Sequence, residues 1–264
     1  MSLISVITDD FMFTGDYIYA FWGVAGACIL LPLLYGLFYG FKRNIDWIAV
    51  VVGAVAGLIT DINPNITTNL YVTALWITVE DCAVMYILLR IIGNFRKGVR
   101  VPIGLALGWI LIPVTILQGL SAIGMISSMQ QVNEDVLAAV IAGIAEYDRE
   151  AFRETLAILA AEPVGTYFKL AAACVARFIM TIGVCRLLWY SLHGDRRPPH
   201  PLFILAGFGM RFIAELFYQT SREALASLVL YYVSAALVLA GSIVAAKYWD
   251  NPEVFEDRLS EKKL

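Results

Sequence analysis

The chain has 264 residues, 60% of them hydrophobic and only 16% charged, with 19 Lys and Arg set against 22 Asp and Glu for a net charge of −3. Soluble domains are about half apolar and a quarter charged, so this composition excludes one and describes an integral membrane protein. Six or seven stretches approach the roughly 20 apolar residues that a spanning helix needs, and they leave almost nothing for a separate soluble domain. Residues 1–264 therefore read as a single membrane domain of the all-α class, a polytopic transmembrane helix bundle of about seven spans.

The leading segment MSLISVITDDFMFTGD carries Asp9, Asp10 and Asp16 where a secretory leader would be basic, so the first span, Tyr17 to Phe41, is expected to stay in the mature protein. Pro32 lies inside that span and removes the hydrogen bond to the Cys28 carbonyl, which predicts a kink. The second span, Ile45 to Thr60, holds Gly53 and Gly57 four residues apart, a spacing that lets helix backbones approach closely. The third is Leu70 to Ile92. The fourth, Val101 to Ile126, repeats the small-residue pattern at Gly104 and Gly108 and carries Pro113, which predicts a second kink at the Trp109 carbonyl.

Residues 127–165 form the one sizeable loop. Apolar residues at Val136, Val140, Ile141 and Ile144, then at Phe152, Leu156 and Leu159, predict two short amphipathic helices, with Asn133 and Asp148 as N-caps and Pro163 ending the second. Seven acids against two arginines leave the loop unattractive to anionic lipid and to nucleic acid. It reads as an extracytoplasmic cap over the span ends, with docking of a protein partner as the alternative; a homo-oligomer is a separate expectation, not tied to this loop. Three more spans follow: Thr166 to Leu188, Leu202 to Tyr218 and Leu225 to Ala246. The sixth of the seven is short and carries two charges, so whether it fully crosses is left open at this point.

Lys and Arg cluster at Lys42 and Arg43, at Arg96, Lys97 and Arg100, at Arg196 and Arg197, and at Lys247 with the tail 248–264, while the alternate loops carry only Arg149, Arg153 and Arg222. The positive-inside rule then puts the N-terminus outside and the C-terminus in the cytoplasm, as expected of a multi-pass cell-membrane protein. Arg90, Arg186 and Lys169, near span ends, read as snorkelling anchors.

The third span places Glu80 and Asp81 about 15 Å from either of its ends, at the bilayer centre, where neither can snorkel. The same count puts Arg177 at the centre of the fifth span and Arg211 with Glu215 near the centre of the sixth. Charge in hydrocarbon is costly enough to demand a partner, so these five residues are expected to meet, with Glu80 or Asp81 on Arg177 as the first pairing and Arg211 on Glu215 as a local one. Three acids against two arginines leave one negative charge in excess, which a shared proton or a cation would meet.

No catalytic residue or metal ligand set emerges. The four cysteines sit within spans without a C-x-x-C pair, His193 and His200 belong to no H-E-x-x-H pattern, the N65-I-T67 acceptor pattern is too short to weigh, and there is no G-x-S-x-G elbow or P-loop. No cofactor is implied. The central charges favour translocation of a proton, a cation or a small charged solute; a non-catalytic membrane subunit of a larger assembly and a carboxylate-dependent intramembrane enzyme are the rival readings.

Overall fold

The computed structural model of the chain describes residues 12–43, 45–61, 69–96, 98, 100–134, 137–193, 201–220 and 224–249. The N65-I-T67 pattern, Val136, Arg196, Arg197, His200, Arg222 and the tail from residue 250 lie outside the described residues. Every described element is helical: α1 (Gly15–Ala25), α2 (Leu31–Arg43), α3 (Trp47–Asp61), α4 (Leu70–Gly93), α5 (Arg100–Ile110), α6 (Gly119–Glu134), α7 (Leu137–Ala142), α8 (Glu146–Ala161), α9 (Val164–His193), α10 (Pro201–Thr220) and α11 (Leu225–Trp249).

Among the described residues, six helical stretches are long and apolar enough to cross a membrane: Gly15–Phe38, Leu70–Gly93, Arg100–Glu134, Val164–Leu192, Pro201–Thr220 and Leu225–Ala246. The sixth expected span thus reaches 20 residues. The described part of the second does not reach that length. Asp46 opens α3 by accepting the Ile48 and Ala49 N–H groups at 3.1 and 3.2 Å, and the described helix runs 15 residues to Asp61, about 22 Å of rise.

Both prolines are accommodated by wider turns. Gly26–Leu30, just ahead of Pro32, and Leu111–Gln118, around Pro113, are π-helical, so α1 runs into α2 and α5 into α6 without a break. A proline ring collides with the carbonyl four residues back and offers it no N–H; widening the turn moves that carbonyl aside.

Two-thirds of the apolar window of α9 and of the α5–α6 rod is buried, 67% in each, against 28–39% in the other four crossing helices, so these two form the centre of the bundle. Registers show the directions. The Phe21 ring meets Tyr167 at 4.5 Å and Tyr35 meets Phe178 at 5.2 Å, so α1 and α2 run parallel to α9. Gly207 of α10 faces Leu188 of α9 while Arg177 lies over Tyr218, so α10 runs back.

The two small-residue pairs meet each other. A Cβ on Gly53 or Gly57 would strike the Leu105 or Trp109 carbonyl of α5, and one on Gly104 or Gly108 would strike the Asp46 or Val50 carbonyl on the α3 side. The helices α3 and α5 therefore lie parallel with backbones in contact, as small residues four apart permit. Gly108→Val is expected to cost about 1–3 kcal/mol through backbone displacement, read as a lower unfolding midpoint in detergent.

The loop differs from its expectation at its start. Helix α6 runs on to Glu134 and absorbs residues 127–134, so Asn133 is not an N-cap. Its side-chain amide instead clamps the extended chain at Phe13, accepting from the N–H at 2.8 Å and donating to the carbonyl at 2.9 Å. Ala145, not Asp148, stands at the N-cap of α8; Asp148 and Glu146 occupy the first turn, where acids suit the helix dipole. Leu156 and Leu159 are buried as expected, and Pro163 follows the end of α8. Tyr17 donates its hydroxyl to the Glu162 carbonyl at 2.9 Å and Tyr167 to the Leu159 carbonyl at 3.3 Å, which ties α8 to the starts of α1 and α9.

Candidate functional site: a charged cavity between four helices

Helix α4 begins at Asn69, whose side chain accepts the Tyr71 and Val72 N–H groups at 3.0 and 3.3 Å. From there Ala74, Thr78, Asp81, Cys82, Met85, Leu89 and Ile92 make its buried stripe at three- and four-residue spacing. Asp81 belongs to that stripe. Glu80 is rotated by about 100° from it, toward the exposed Trp76, Val79 and Ile87.

Asp81 reaches α10. Arg211 Nη2 donates to Asp81 Oδ2 at 2.7 Å and lies 3.3 Å from Glu215 Oε2, one turn along its own helix. All three side chains are 8% exposed or less. Gln219 extends the chain of contacts, donating to Glu215 Oε1 at 3.4 Å. Arg177 of α9 does not take Asp81 or Glu80. Its Nη2 lies 3.4 Å from Asp61 Oδ1, at the end of α3, and its guanidinium carbon sits 5.9 Å from the centre of the Tyr218 ring, within cation–π range.

The first expected pairing is thus corrected: Asp81 binds Arg211, and Arg177 binds Asp61, a residue that the depth count passed over. Glu80 makes no ion pair among the described residues; it is half-buried, and its Oε2 is enclosed without a hydrogen-bond partner. Asp61 directly follows the apolar run that ends at Thr60, where a carboxylate resembles an interfacial residue.

These groups surround one cavity of about 250 Å³, lined by Thr60, Asp61, Ile77, Asp81, Gln118, Arg177, Arg211, Glu215 and Tyr218. It has room for several water molecules. Gln118 comes from the last residue of the second π-helical stretch, so the turn that accommodates Pro113 also aims a polar side chain inward. Three acids and two arginines again leave one negative charge in excess, with Asp61 in place of Glu80. Asp61 is the exposed member, its side chain 35% accessible, and marks the side on which the cavity opens.

The interior is polar beyond its ion pairs. Arg211 Nη1 and the hydroxyls of Thr78, Thr115 and Tyr231 are buried without a hydrogen-bond partner, although such groups in folded interiors are nearly always paired. The four cysteines are buried free thiols, and no group of three or more His, Cys, Asp or Glu gathers in a metal-holding arrangement among the described residues. Compared with protein-family models, with curated proteins and with solved structures, the chain matches none.

Proposed function

We propose that the chain is a multi-pass cell-membrane protein that passes a proton or a small monovalent cation through the cavity between α3, α4, α9 and α10. The cavity itself carries the reading: a void of about 250 Å³ walled by five charged side chains within the bundle. Ion pairs that only fix helix register gain nothing from an open space beside them, because their attraction is strongest when water is excluded. Charged residues at membrane depth that face a cavity mark ion pathways and proton relays.

In this reading the helices cross seven times, α3 included, with the Gly15 end outside and the α11 end in the cytoplasm. The Lys and Arg asymmetry of the loops supports that orientation. Helix α3 enters from the basic side at Trp47 and has risen about 22 Å at Asp61, which puts Asp61 and the cavity mouth at mid-to-outer depth. Asp81 and Glu215 share Arg211 as counter-charge; the third acid, Asp61, is the one that exchanges its arginine for the ion. The α7–α8 pair, tied down by Tyr17 and Tyr167, caps the outer ends.

The test is dissipation of imposed proton, sodium and potassium gradients by the purified protein in liposomes. Wild type is expected to dissipate at least one. In an Asp61→Cys variant, a charged thiol reagent is expected to stop the residual flux, since the four native thiols are buried. Wild-type liposomes that hold all three gradients as tightly as protein-free ones would sink the proposal.

A further inference from the structure

A second cavity, of about 300 Å³, lies on the outside of the bundle between α2, α3 and α5, lined by Pro32, Leu33, Gly36, Trp47, Leu107 and their apolar neighbours. Its origin is in the sequence. The glycine pairs draw α3 and α5 into backbone contact, whereas α2 leaves the wider turn at Pro32 and presents the bare backbone of Gly36 to the gap. A Cβ built on Gly36 meets nothing within 4 Å. Leu33 and Leu37 flank it, 47% and 54% exposed, so the groove is a lengthwise opening on the apolar surface of the bundle.

One end of this groove is basic. Trp47, 66% exposed, stands there beside Asp46, and the Arg96 Nε lies 4.0 Å from Asp46 Oδ2 with its side chain 49% accessible. Asp46, which also caps α3 through its other oxygen, offsets one positive charge at this end. Arg100, exposed, precedes Leu107 by seven residues, which places it on the same face of α5 about 10 Å nearer that end. Phe95, 82% exposed, and Trp47 are the aromatic side chains expected at headgroup level.

We propose that this groove binds one anionic phospholipid, an acyl chain lying along Gly36 and Leu107 and the phosphate held by Arg96 and Arg100. Charge complementarity selects the occupant: a hydrocarbon slot that ends in arginines at headgroup level matches a lipid with a negative head and an apolar tail, and basic pockets at that level bind such heads. The site is independent of the transport reading.

Native mass spectrometry of the delipidated full chain, titrated separately with phosphatidylglycerol and phosphatidylcholine, tests this. One phosphatidylglycerol is expected to bind at least about tenfold more tightly than phosphatidylcholine. Gly36→Phe, which fills the slot without touching the core, should abolish retention of that lipid. Because Gly36→Phe alone could be blamed on altered folding, the doubly substituted Arg96→Gln, Arg100→Gln chain, changed only at exposed positions, should keep the fold and lose the preference between the two lipids. Equal affinity for both lipids, a preference that survives loss of both arginines, or a dimer of the chain that Gly36→Phe dissociates would each overturn the assignment.

Discussion

Arg211→Met is expected to destabilise the folded protein by about 3–5 kcal/mol, because it strands two carboxylates with 8% and 7% side-chain exposure without a counter-charge. Denaturant titration in detergent, followed by helical circular dichroism, reads the effect. The cost is that of breaking the triad, not its net worth. Desolvating Asp81, Arg211 and Glu215 consumes much of their mutual attraction, so replacing all three together with apolar residues (Asp81→Leu, Arg211→Met, Glu215→Leu) should recover most of the loss. A single Arg211→Met change that costs less than about 1 kcal/mol would mean that the carboxylates are hydrated well enough to need no partner.

Asp81→Asn should leave the fold standing and lower the flux at least about tenfold, equivalent to about 1.4 kcal/mol on the barrier. The amide keeps the shape of the carboxylate and still accepts from Arg211 Nη2, but it removes the excess negative charge of the cavity. Glu80→Gln, one residue away, should leave the rate at that of wild type, since Glu80 does not line the cavity. Gradient dissipation in liposomes by the two variants side by side, with equal protein incorporation, decides the point. Equal loss in both would return Glu80 to the pathway.

Hydropathy alone yields the all-helical class and most helix bounds, because a run of apolar residues long enough to cross a bilayer has few alternatives. The paired glycines of α3 and α5 and the shared depth of Asp81, Arg177, Arg211 and Glu215 are likewise legible from spacing. What spacing does not carry is the rotation of each helix about its axis. Both the buried stripe of α4 and its outward face, with Leu75, Val79 and Ile87, are apolar, so no periodic contrast tells Asp81 from Glu80. In a water-soluble helix the outward face would be polar and the choice would be plain.

Asp61 is illegible for a different reason: it stands just past the apolar run that ends at Thr60, where a carboxylate looks like an ordinary interfacial residue. Asn133 shows the same limit at short range: a residue suited to capping a local helix end is equally suited to clamping backbone 120 positions away, and only the fold selects between the two.

The triple apolar variant separates the two roles that the charges around the cavity can have. If the ion pairs only hold helices in register, Asp81→Leu, Arg211→Met, Glu215→Leu folds and nothing measurable is lost. Flux of protons, sodium and potassium through this variant and through wild type, at matched amounts in liposomes, is the most direct measurement. Flux in wild type with only background leak in the folded variant is the result expected here; indistinguishable rates in the two would contradict the assignment of this cavity as the pathway.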